Sequence, residues 1–270
     1  MHLRDLTTAA LITALAASCA DAATLTCQNR SVYVVARLGP PYSDSDSARA
    51  EDFGLFDRNA NAYMFVSYPL YTAAEGRASQ RSEIAGSAIH ALCTADASIH
   101  TITPISVPPG DVSGVSQLEV CFRLHAASTV TIVAVSTATT TYGSAAPASA
   151  SFVLSGPGGL LLELQRNCGS AGCPDSTLAA TMPIPAGDYT VLASVRAEVL
   201  GPPYPGVPAE SGITLDVSVS LDEPLVGVTP GTWTDAKRIY RRRPRPKARA
   251  PRAKSSRSSA AMPRPTGASA

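Results

Sequence analysis

Aromatic side chains and lysine are scarce in this sequence. Aromatic residues make up 6% of the 270 positions, with one Trp and five Phe, and no Lys precedes Lys237. Any hydrophobic core must therefore be built mainly from Val, Leu, Ile and Ala. With 45% hydrophobic and 16% charged residues, the chain is too apolar for wholesale disorder and has the length of one or two modest domains.

Motifs for catalysis and cofactor binding are also missing. The chain has no Gly-x-Ser-x-Gly nucleophile elbow, phosphate-binding glycine loop, zinc-protease His motif or reactive Cys/His signature. His90 and His125 lie in or next to alternating apolar runs, so we interpret them as residues on strand faces rather than as general bases. The sequence therefore predicts a protein that is not an enzyme and that has no catalytic residues, cofactor or metal ion.

Two acidic segments resemble calcium-binding loops without completing the ligand set. Asp57–Asn61 matches the first three ligand positions of an EF-hand loop, but Ala62 stands at the glycine position and Tyr68 at the position of the bidentate Glu. The segment 43–47 carries two carboxylates among serines, and we interpret it as a solvated polar loop. Neither segment is expected to bind a cation.

Long hydrophobic runs are absent, which excludes a helix that spans a membrane. The longest apolar stretch, Leu6–Ala17, is shorter than the roughly 20 residues that a spanning helix needs. It follows Arg4 and precedes Ala20-Asp21-Ala22, which has the small residues of a signal-peptidase site. Residues 1–22 are therefore predicted to be a cleaved signal peptide of a secreted, periplasmic or cell-surface protein. A lipoprotein anchored at Cys19 is the alternative.

The cysteines of the mature chain are odd in number. Cys168 and Cys173 enclose four small residues between two strand-like runs, which favours a local disulfide in an oxidising compartment. Cys27, Cys93 and Cys121 allow three further pairings. The Cys93–Cys121 pair is preferred because both residues lie in strand-like runs, and one thiol is then left over.

Alternating apolar and polar residues predict many short β-strands. The clearest runs are Gly187–Leu200, Ile213–Leu221 and Leu118–Leu124. Other candidate strands are residues 31–38, 62–71, 82–93, 97–105, 128–137, 151–155, 160–166 and 177–182. No helical pattern interrupts the region from 117 to 221, so crossover helices and a parallel sheet are excluded. The prediction is an all-β, antiparallel β-sandwich of jelly-roll-like form over residues 23–226.

Two segments in the second half of this domain carry a family resemblance. The run Phe152–Gly159 ends in Ser-Gly-Pro-Gly-Gly, and Pro185–Val191 reads Pro-Ala-Gly-Asp-Tyr-Thr-Val. In this order the segments resemble a group of uncharacterised, Ala/Ser-rich secreted bacterial β-sandwich proteins. More distantly, they are similar to the pre-peptidase C-terminal domains of exported bacterial enzymes. The resemblance covers roughly residues 62–221 and implies a bacterial origin and a fold, but no function.

The C-terminal region differs from the rest of the chain in charge. Residues 237–270 contain 12 of the 22 Lys and Arg residues and no Asp or Glu, which leaves residues 1–236 with a formal charge of −11. Within residues 227–241, the sequence predicts a linker followed by a short helix with Trp233, Ala236 and Tyr240 on one face. This helix resembles the Trp-initiated, Lys-then-Tyr-Arg segment that closes various exported proteins of environmental bacteria.

Residues 242–270 are predicted to be a disordered tail because alternating Pro prevents a helix and the composition cannot form a core. Such a cationic segment can bind an anionic polysaccharide or another polyanion, without specific recognition of nucleic acid. An inert extension is an equally weighted alternative. The candidate polyanion-binding residues are Arg241, Arg242, Arg243, Arg245, Lys247, Arg249, Arg252 and Lys254.

Together these features favour an exported, non-enzymatic β-sandwich protein of the cell surface or extracellular matrix that binds anionic polymers through its tail. The alternative is a carbohydrate-binding accessory module or a secreted hydrolase. This alternative would use tyrosines that stack on sugars, if they line one sheet face or loop rim. The candidate tyrosines are Tyr42, Tyr63, Tyr68, Tyr71 and Tyr204.

Overall fold

The computed structural model describes residues 23–67, 71–101, 110–140, 146–169, 173–200 and 208–227. The predicted signal peptide, the predicted C-terminal helix and the basic tail lie outside these residues. The chain divides into two units, 1–228 and 229–270, and every described residue belongs to the first. Within the described residues there are thirteen strands and no helix, and therefore no helix that could cross a membrane.

The strands run β1 (Ala23–Leu38), β2 (Ser43–Arg49), β3 (Phe56–Val66), β4 (Thr72–Ala85), β5 (Ala88–Thr101), β6 (Gly110–Leu124), β7 (Ser128–Thr140), β8 (Ala148–Gly156), β9 (Gly159–Cys168), β10 (Ser176–Ile184), β11 (Gly187–Leu200), β12 (Ala209–Leu221) and β13 (Leu225–Gly227). They form two sheets. Sheet A has the order β13-β1-β6-β11-β8-β9, with β2 also beside β1, and sheet B has the order β10-β7-β12-β5-β4-β3. All pairings are antiparallel except the short parallel one between β1 and β13.

The eight strands from β5 to β12 pair in a nested order. β5 pairs with β12, β6 with β11, β7 with β10, and β8 with β9, so the first strand of the set meets the last. Members of successive pairs lie in opposite sheets, which is the connectivity of a jelly roll. The predicted antiparallel β-sandwich of jelly-roll-like form is therefore confirmed. Strands β1, β3 and β4 widen the two sheets beyond this set.

The core between the sheets consists mostly of Val, Ala, Leu and Ile, as the scarcity of aromatic residues requires. Burial alternates along each long strand, because successive side chains point to opposite faces of a sheet. Phe122 and Tyr189 stack with ring centroids 5.4 Å apart, and the Tyr189 hydroxyl donates a 2.6 Å hydrogen bond to the Pro185 carbonyl. These two aromatic rings therefore pack together in the core, and the one polar group that they carry, the Tyr189 hydroxyl, is satisfied.

A fully buried arginine fixes the connection between β2 and β3. Arg30 on β1 donates hydrogen bonds to the carbonyl oxygens of Gly54 at 2.7 Å and Ser82 at 3.3 Å, and also to that of Asp52. Its guanidinium also lies 5.7 Å from the centre of the Phe56 ring. Burial lowers the pKa of this group from its usual value, while the Asp52 carboxylate opposes that effect. The contacts hold the 50–55 segment against β1, next to β4.

The structure contains two disulfides among the described residues, and only one of them matches a pairing predicted from the sequence. The expected Cys168–Cys173 bond is present, with Cα atoms 5.3 Å apart. The expected Cys93–Cys121 bond is wrong, because Cys121 is linked to Cys27 and Cys93 is a buried free thiol. Cys27 and Cys121 lie opposite each other on β1 and β6 of sheet A, whereas Cys93 points from β5 of sheet B into the core. Disulfides are typical of proteins from oxidising compartments.

Candidate functional site

An open cleft of about 410 Å³ lies on the outward face of sheet B. Its walls come from four neighbouring strands, β4, β5, β12 and β7, and its chemistry is polar. The ionisable side chains that line it are Glu75, Arg77, Asp96, His100 and Glu210. Strand alternation explains this composition, because the residues between these positions point into the core.

Strand register brings the residues of the cleft together across the sheet. Arg77 lies opposite Asp96, Asp96 lies opposite Gly212, and Gly212 lies opposite Thr139, one residue on each strand. A Cβ atom at Gly212 would be 2.6 Å from Asp96 Oδ1 and 2.8 Å from Thr139 Oγ1. The missing side chain at Gly212 therefore opens the middle of this row and lets two polar groups converge over the backbone of β12.

Two carboxylates of the cleft each have a basic side chain as a neighbour. Arg77 Nε donates a 2.8 Å hydrogen bond to Glu75 Oε1, and His100 Nε2 lies 3.5 Å from Glu210 Oε1. Burial raises the pKa of the Asp96 carboxyl above its usual range, and the nearby positive charge of Arg77 partly opposes this. Asp96 is thus a hydrogen-bonding group that has lost part of its hydration and still faces solvent.

Glycines in the core bring sheet A close to the floor of the cleft. A Cβ atom on Gly114 of β6 would lie 2.5 Å from the Arg77 carbonyl oxygen and 3.1 Å from that of Asp96. On β4, a Cβ atom on Gly76 would lie 2.5 Å from Cγ1 of Val34. Because backbone packs here against side chains or backbone of the other sheet, the floor is rigidly supported.

Two exposed aromatic side chains lie beside the cleft on the edge strand β3. Tyr63 is 56% exposed and Phe65 is 50% exposed. They stand two residues apart on the outward face, opposite Glu75 and Ala73 of β4. The adjacent strand β2 anchors this edge, since carboxylate oxygens of Asp44 and Asp46 accept hydrogen bonds from the backbone N–H groups of Tyr63 at 2.9 Å and Asn61 at 3.1 Å.

Of the other tyrosines proposed from the sequence, the two that the structure describes do not join this surface. Tyr42 is exposed on the β1–β2 hairpin, where a separate cleft of about 390 Å³ is lined by Arg37, Pro40, Pro41 and Asp111. Tyr71 is exposed at the start of β4, and Tyr68 and Tyr204 lie outside the described residues. Of the three candidate tyrosines that the structure describes, Tyr63 alone is placed beside the polar cleft.

The remaining candidates from the sequence have structural positions or lie outside the described residues. His125 Nε2 and the Thr24 hydroxyl form a 2.9 Å hydrogen bond at an exposed strand end. The segment 43–47 belongs to strand β2 and is not a loop. All eight candidate polyanion-binding residues, Arg241 to Lys254, lie outside the described residues.

Among the described residues, one cluster has the spacing of metal ligands. It consists of Cys27, Glu119 and Cys121. Because both sulfurs are joined in a disulfide, they offer no thiolate to a metal ion.

The sequence did not identify the ionisable residues of the cleft as a group. Arg77, Asp96 and Glu210 are far apart in the chain, and only the strand register places them side by side. None of the three lies within a strand predicted from the sequence, whereas the structure places each on the outward face of one. Gly212, directly before the predicted strand Ile213–Leu221, is the one local signal that could have drawn attention to the position, because a glycine in a strand often marks a close approach of another group to the backbone.

Comparisons with known proteins place the chain in no family. No known protein family matches the sequence, and no characterised protein matches it. Among solved structures, a carbohydrate-binding module from the β-sandwich superfamily is 11% identical, covers 75% of this chain and 98% of its own, and has a TM-score of 0.18. Structures of infectious bursal disease virus, strains Gx and Gt, are 11% and 12% identical and also have TM-scores of 0.18; they cover 82% and 83% of this chain and 71% and 74% of their own. The assignment of the fold therefore rests on the strand pairing itself.

Proposed function

We propose that this protein is an exported, non-enzymatic β-sandwich that binds neutral glycans on the outward face of sheet B. One observation carries the proposal: two exposed aromatic side chains, Tyr63 and Phe65, lie beside a rigid cleft in which charged and hydroxyl groups converge. Binding sites for small polar ligands combine apolar contact area with a few fixed hydrogen-bonding groups in this way. The family resemblance and the predicted signal peptide support export, as do the two disulfides.

The apolar and polar groups of a sugar match the two parts of this surface, the aromatic rings and the polar cleft. A pyranose ring has apolar C–H faces, which pack against aromatic rings such as those of Tyr63 and Phe65. Its hydroxyl groups donate to carboxylates and accept from N–H groups, and hydrogen bonds to charged partners are the stronger ones. Asp96 and Arg77 supply an acceptor and a donor at neighbouring positions of the cleft.

The charge of the surface favours a neutral glycan over an acidic one. The cleft contains three carboxylates and one arginine, and its histidine is half solvated beside Glu210. Residues 23–226 contain 18 Asp and Glu against 9 Arg, a formal charge of −9, so a polymer of uronic acid or sulfated sugars would be repelled from the β-sandwich. This glycan class differs from the anionic polymers expected for the C-terminal tail.

The contacts in the cleft support binding more than hydrolysis. A glycosidase needs one free carboxylate base or nucleophile beside a carboxylic acid. Glu75 is held by Arg77, and Glu210 lies next to His100, so two of the three carboxylates already have a basic side chain beside them. The raised pKa of Asp96 is a property that a general acid also has, so the binding assay must include analysis of the products.

The direct test measures retention of the purified protein on gels that contain neutral glucans, mannans or chitin, with alginate as the acidic comparison. The full chain should bind at least one neutral polymer, and Tyr63→Ala and Phe65→Ala should each weaken binding about tenfold. Tyr33→Ala is the matched control, because Tyr33 is 44% exposed on the opposite sheet. Equal losses for Tyr33→Ala and Tyr63→Ala would contradict the proposal. Release of shorter sugars would instead identify a hydrolase.

A separate proposal concerns the basic C-terminal residues from Arg241 to Lys254. Their charge, with no Asp or Glu among residues 237–270, supports binding to a polyanion. Deletion of residues 241–270 should abolish retention on heparin at low salt and leave binding to neutral glycans unchanged. If the truncated chain still bound heparin as the full chain does, the polyanion site would lie on the β-sandwich.

A further inference from the structure

A second cleft lies on the same face of sheet B as the first. It has a volume of about 170 Å³, and its ionisable lining residues are Arg81, Glu83, His90 and Asp216. The exposed side chain of Leu92 lies in the middle, opposite Arg81 on one neighbouring strand and Asp216 on the other. Like the first cleft, it therefore places apolar area beside carboxylates and an arginine.

A row of hydroxyl groups separates the two clefts. Ser79, Thr94, Thr214 and Thr137 are directly opposite one another on β4, β5, β12 and β7. The hydroxyl oxygens of Ser79 and Thr94 are 2.6 Å apart. The side chains in this row are short, so they leave space above the sheet, and each can exchange hydrogen bonds with a ligand.

The two clefts follow the strand direction. On β4 the first cleft begins at Glu75 and the second ends at Glu83, a separation of eight residues or roughly 26 Å at the rise of an extended strand. On β5 the same order runs from His100 to His90. The surface is therefore a strip that is much longer than a disaccharide.

We propose that this strip binds an internal stretch of one extended, neutral polysaccharide chain, with the two clefts as its end subsites. The inference rests on the proposed function and adds the class of ligand: a linear polymer recognised along its length rather than at a chain end. Carboxylates outnumber arginines three to one on the outward face of β3, β4, β5 and β12, which disfavours an acidic polymer along the whole strip. These residues are Asp57, Glu75, Glu83, Asp96, Glu210, Asp216, Arg77 and Arg81.

The test uses oligosaccharides from cellulose, mannan and chitin, each as a series from disaccharide to hexasaccharide, with calorimetric titration of the full chain. In at least one series, the hexasaccharide should bind about tenfold or more tightly than the disaccharide, because each added subsite contributes further hydrogen bonds. The double variant Arg81→Ala/His90→Ala alters the second cleft and should remove most of this gain. It should leave binding of the disaccharide within about twofold of the unaltered chain. Arg49→Ala, on the exposed strand β2, is the matched control.

The outcomes separate this inference from the function on which it rests. Binding that is independent of length, or a gain that survives Arg81→Ala/His90→Ala, would overturn the extended site while the glycan-binding function stands. If no series and no neutral polymer bound, both would be wrong. Gly212→Ala tests the first cleft independently: the new methyl group would displace the Asp96 carboxylate, and binding should weaken for every length.

Discussion

Removal of the Cys27–Cys121 disulfide should lower the free energy of unfolding by about 4 to 5 kcal/mol. The two cysteines are 94 residues apart, so the bond restricts a long loop in the unfolded chain. In the loop-entropy treatment, a loop of this length contributes about 4.7 kcal/mol at 25 °C. The Cys168–Cys173 bond joins residues only 5 positions apart, and the same treatment yields about 2 kcal/mol. The long-range bond should therefore contribute over twice as much as the local one.

The comparison uses two paired variants, Cys27→Ala/Cys121→Ala and Cys168→Ala/Cys173→Ala, unfolded in urea and followed by circular dichroism. Neither variant acquires a free thiol at the altered sites, so each reports the loss of one bond. Peptide mapping without reductant provides the control and should recover a linked Cys27–Cys121 peptide. Equal losses of stability would refute the loop argument. A linked Cys93–Cys121 peptide would refute the strand register between β1 and β6.

Three further outcomes follow from single side chains. Burial raises the pKa of the Cys93 thiol to about 11, so iodoacetamide at pH 8 should leave it unmodified in the folded protein and alkylate it after unfolding, as read by mass spectrometry. Gly114→Ala should lower the free energy of unfolding by about 1 to 3 kcal/mol in urea titrations, because the added methyl group meets the Arg77 carbonyl oxygen. Gly158→Ala is the control: its methyl group meets no atom within 4 Å, so the free energy of unfolding should hardly change. Burial raises the pKa of the Asp96 carboxyl in the folded protein above its value in the unfolded chain, so the stability that the protonated carboxyl contributes is lost as the pH rises from the unfolded-state pKa through the folded-state pKa. The Asp96→Asn variant has no carboxyl proton to lose. Its stability should therefore rise relative to that of the unaltered chain across this acidic pH range, as read by thermal unfolding.

The strands of the second half of the chain could be predicted because the alternation of apolar and polar residues is sufficient to identify them. Gly187–Leu200 alternates without interruption, and β11 has the same bounds in the structure. Such a strand has one face in the core and one face in solvent, which is what period-two patterning reports. Strand β2 was not predicted, because its side chains are nearly all exposed and show no alternation of burial. It is held by backbone pairing with β1.

Continuous alternation also concealed a turn. The predicted strand from 82 to 93 contains the end of β4, the turn at Gly86 and the start of β5. Gly86 has a positive φ of 58°, which suits a glycine at a tight turn, and apolar residues recur on both sides of it. Both strands keep a period of two, but the buried positions change from even-numbered residues in β4 to odd-numbered residues in β5, and the small residues 85–88 conceal this change of phase.

The candidate site depended on pairings between distant strands, which no local pattern contains. Tyr63 was identified from its residue type as a potential sugar platform, and the structure places it beside the cleft. The row Arg77, Asp96, Gly212 and Thr139 depends on three registers between strands that are distant in sequence. A shift of one residue in any of them would turn a polar side chain into the core, so the site and the fold are specified by the same hydrophobic alternation.

The two proposed binding activities belong to parts of the chain with opposite charge, the acidic β-sandwich and the basic C-terminal residues. Their affinities should therefore depend differently on salt concentration. Contacts between a neutral glycan and Tyr63, Phe65 or Asp96 release no counterions, so retention on a neutral polymer should change little between roughly 0.05 and 0.5 M NaCl. Retention on heparin depends on Lys and Arg beyond residue 236 and should fall steeply over the same range. Affinity chromatography on the two matrices, with the full chain and with residues 241–270 deleted, measures both slopes. Equal salt dependence on both matrices would mean that one electrostatic surface accounts for all binding, and the assignment of the neutral glycan to the face of sheet B would then be wrong.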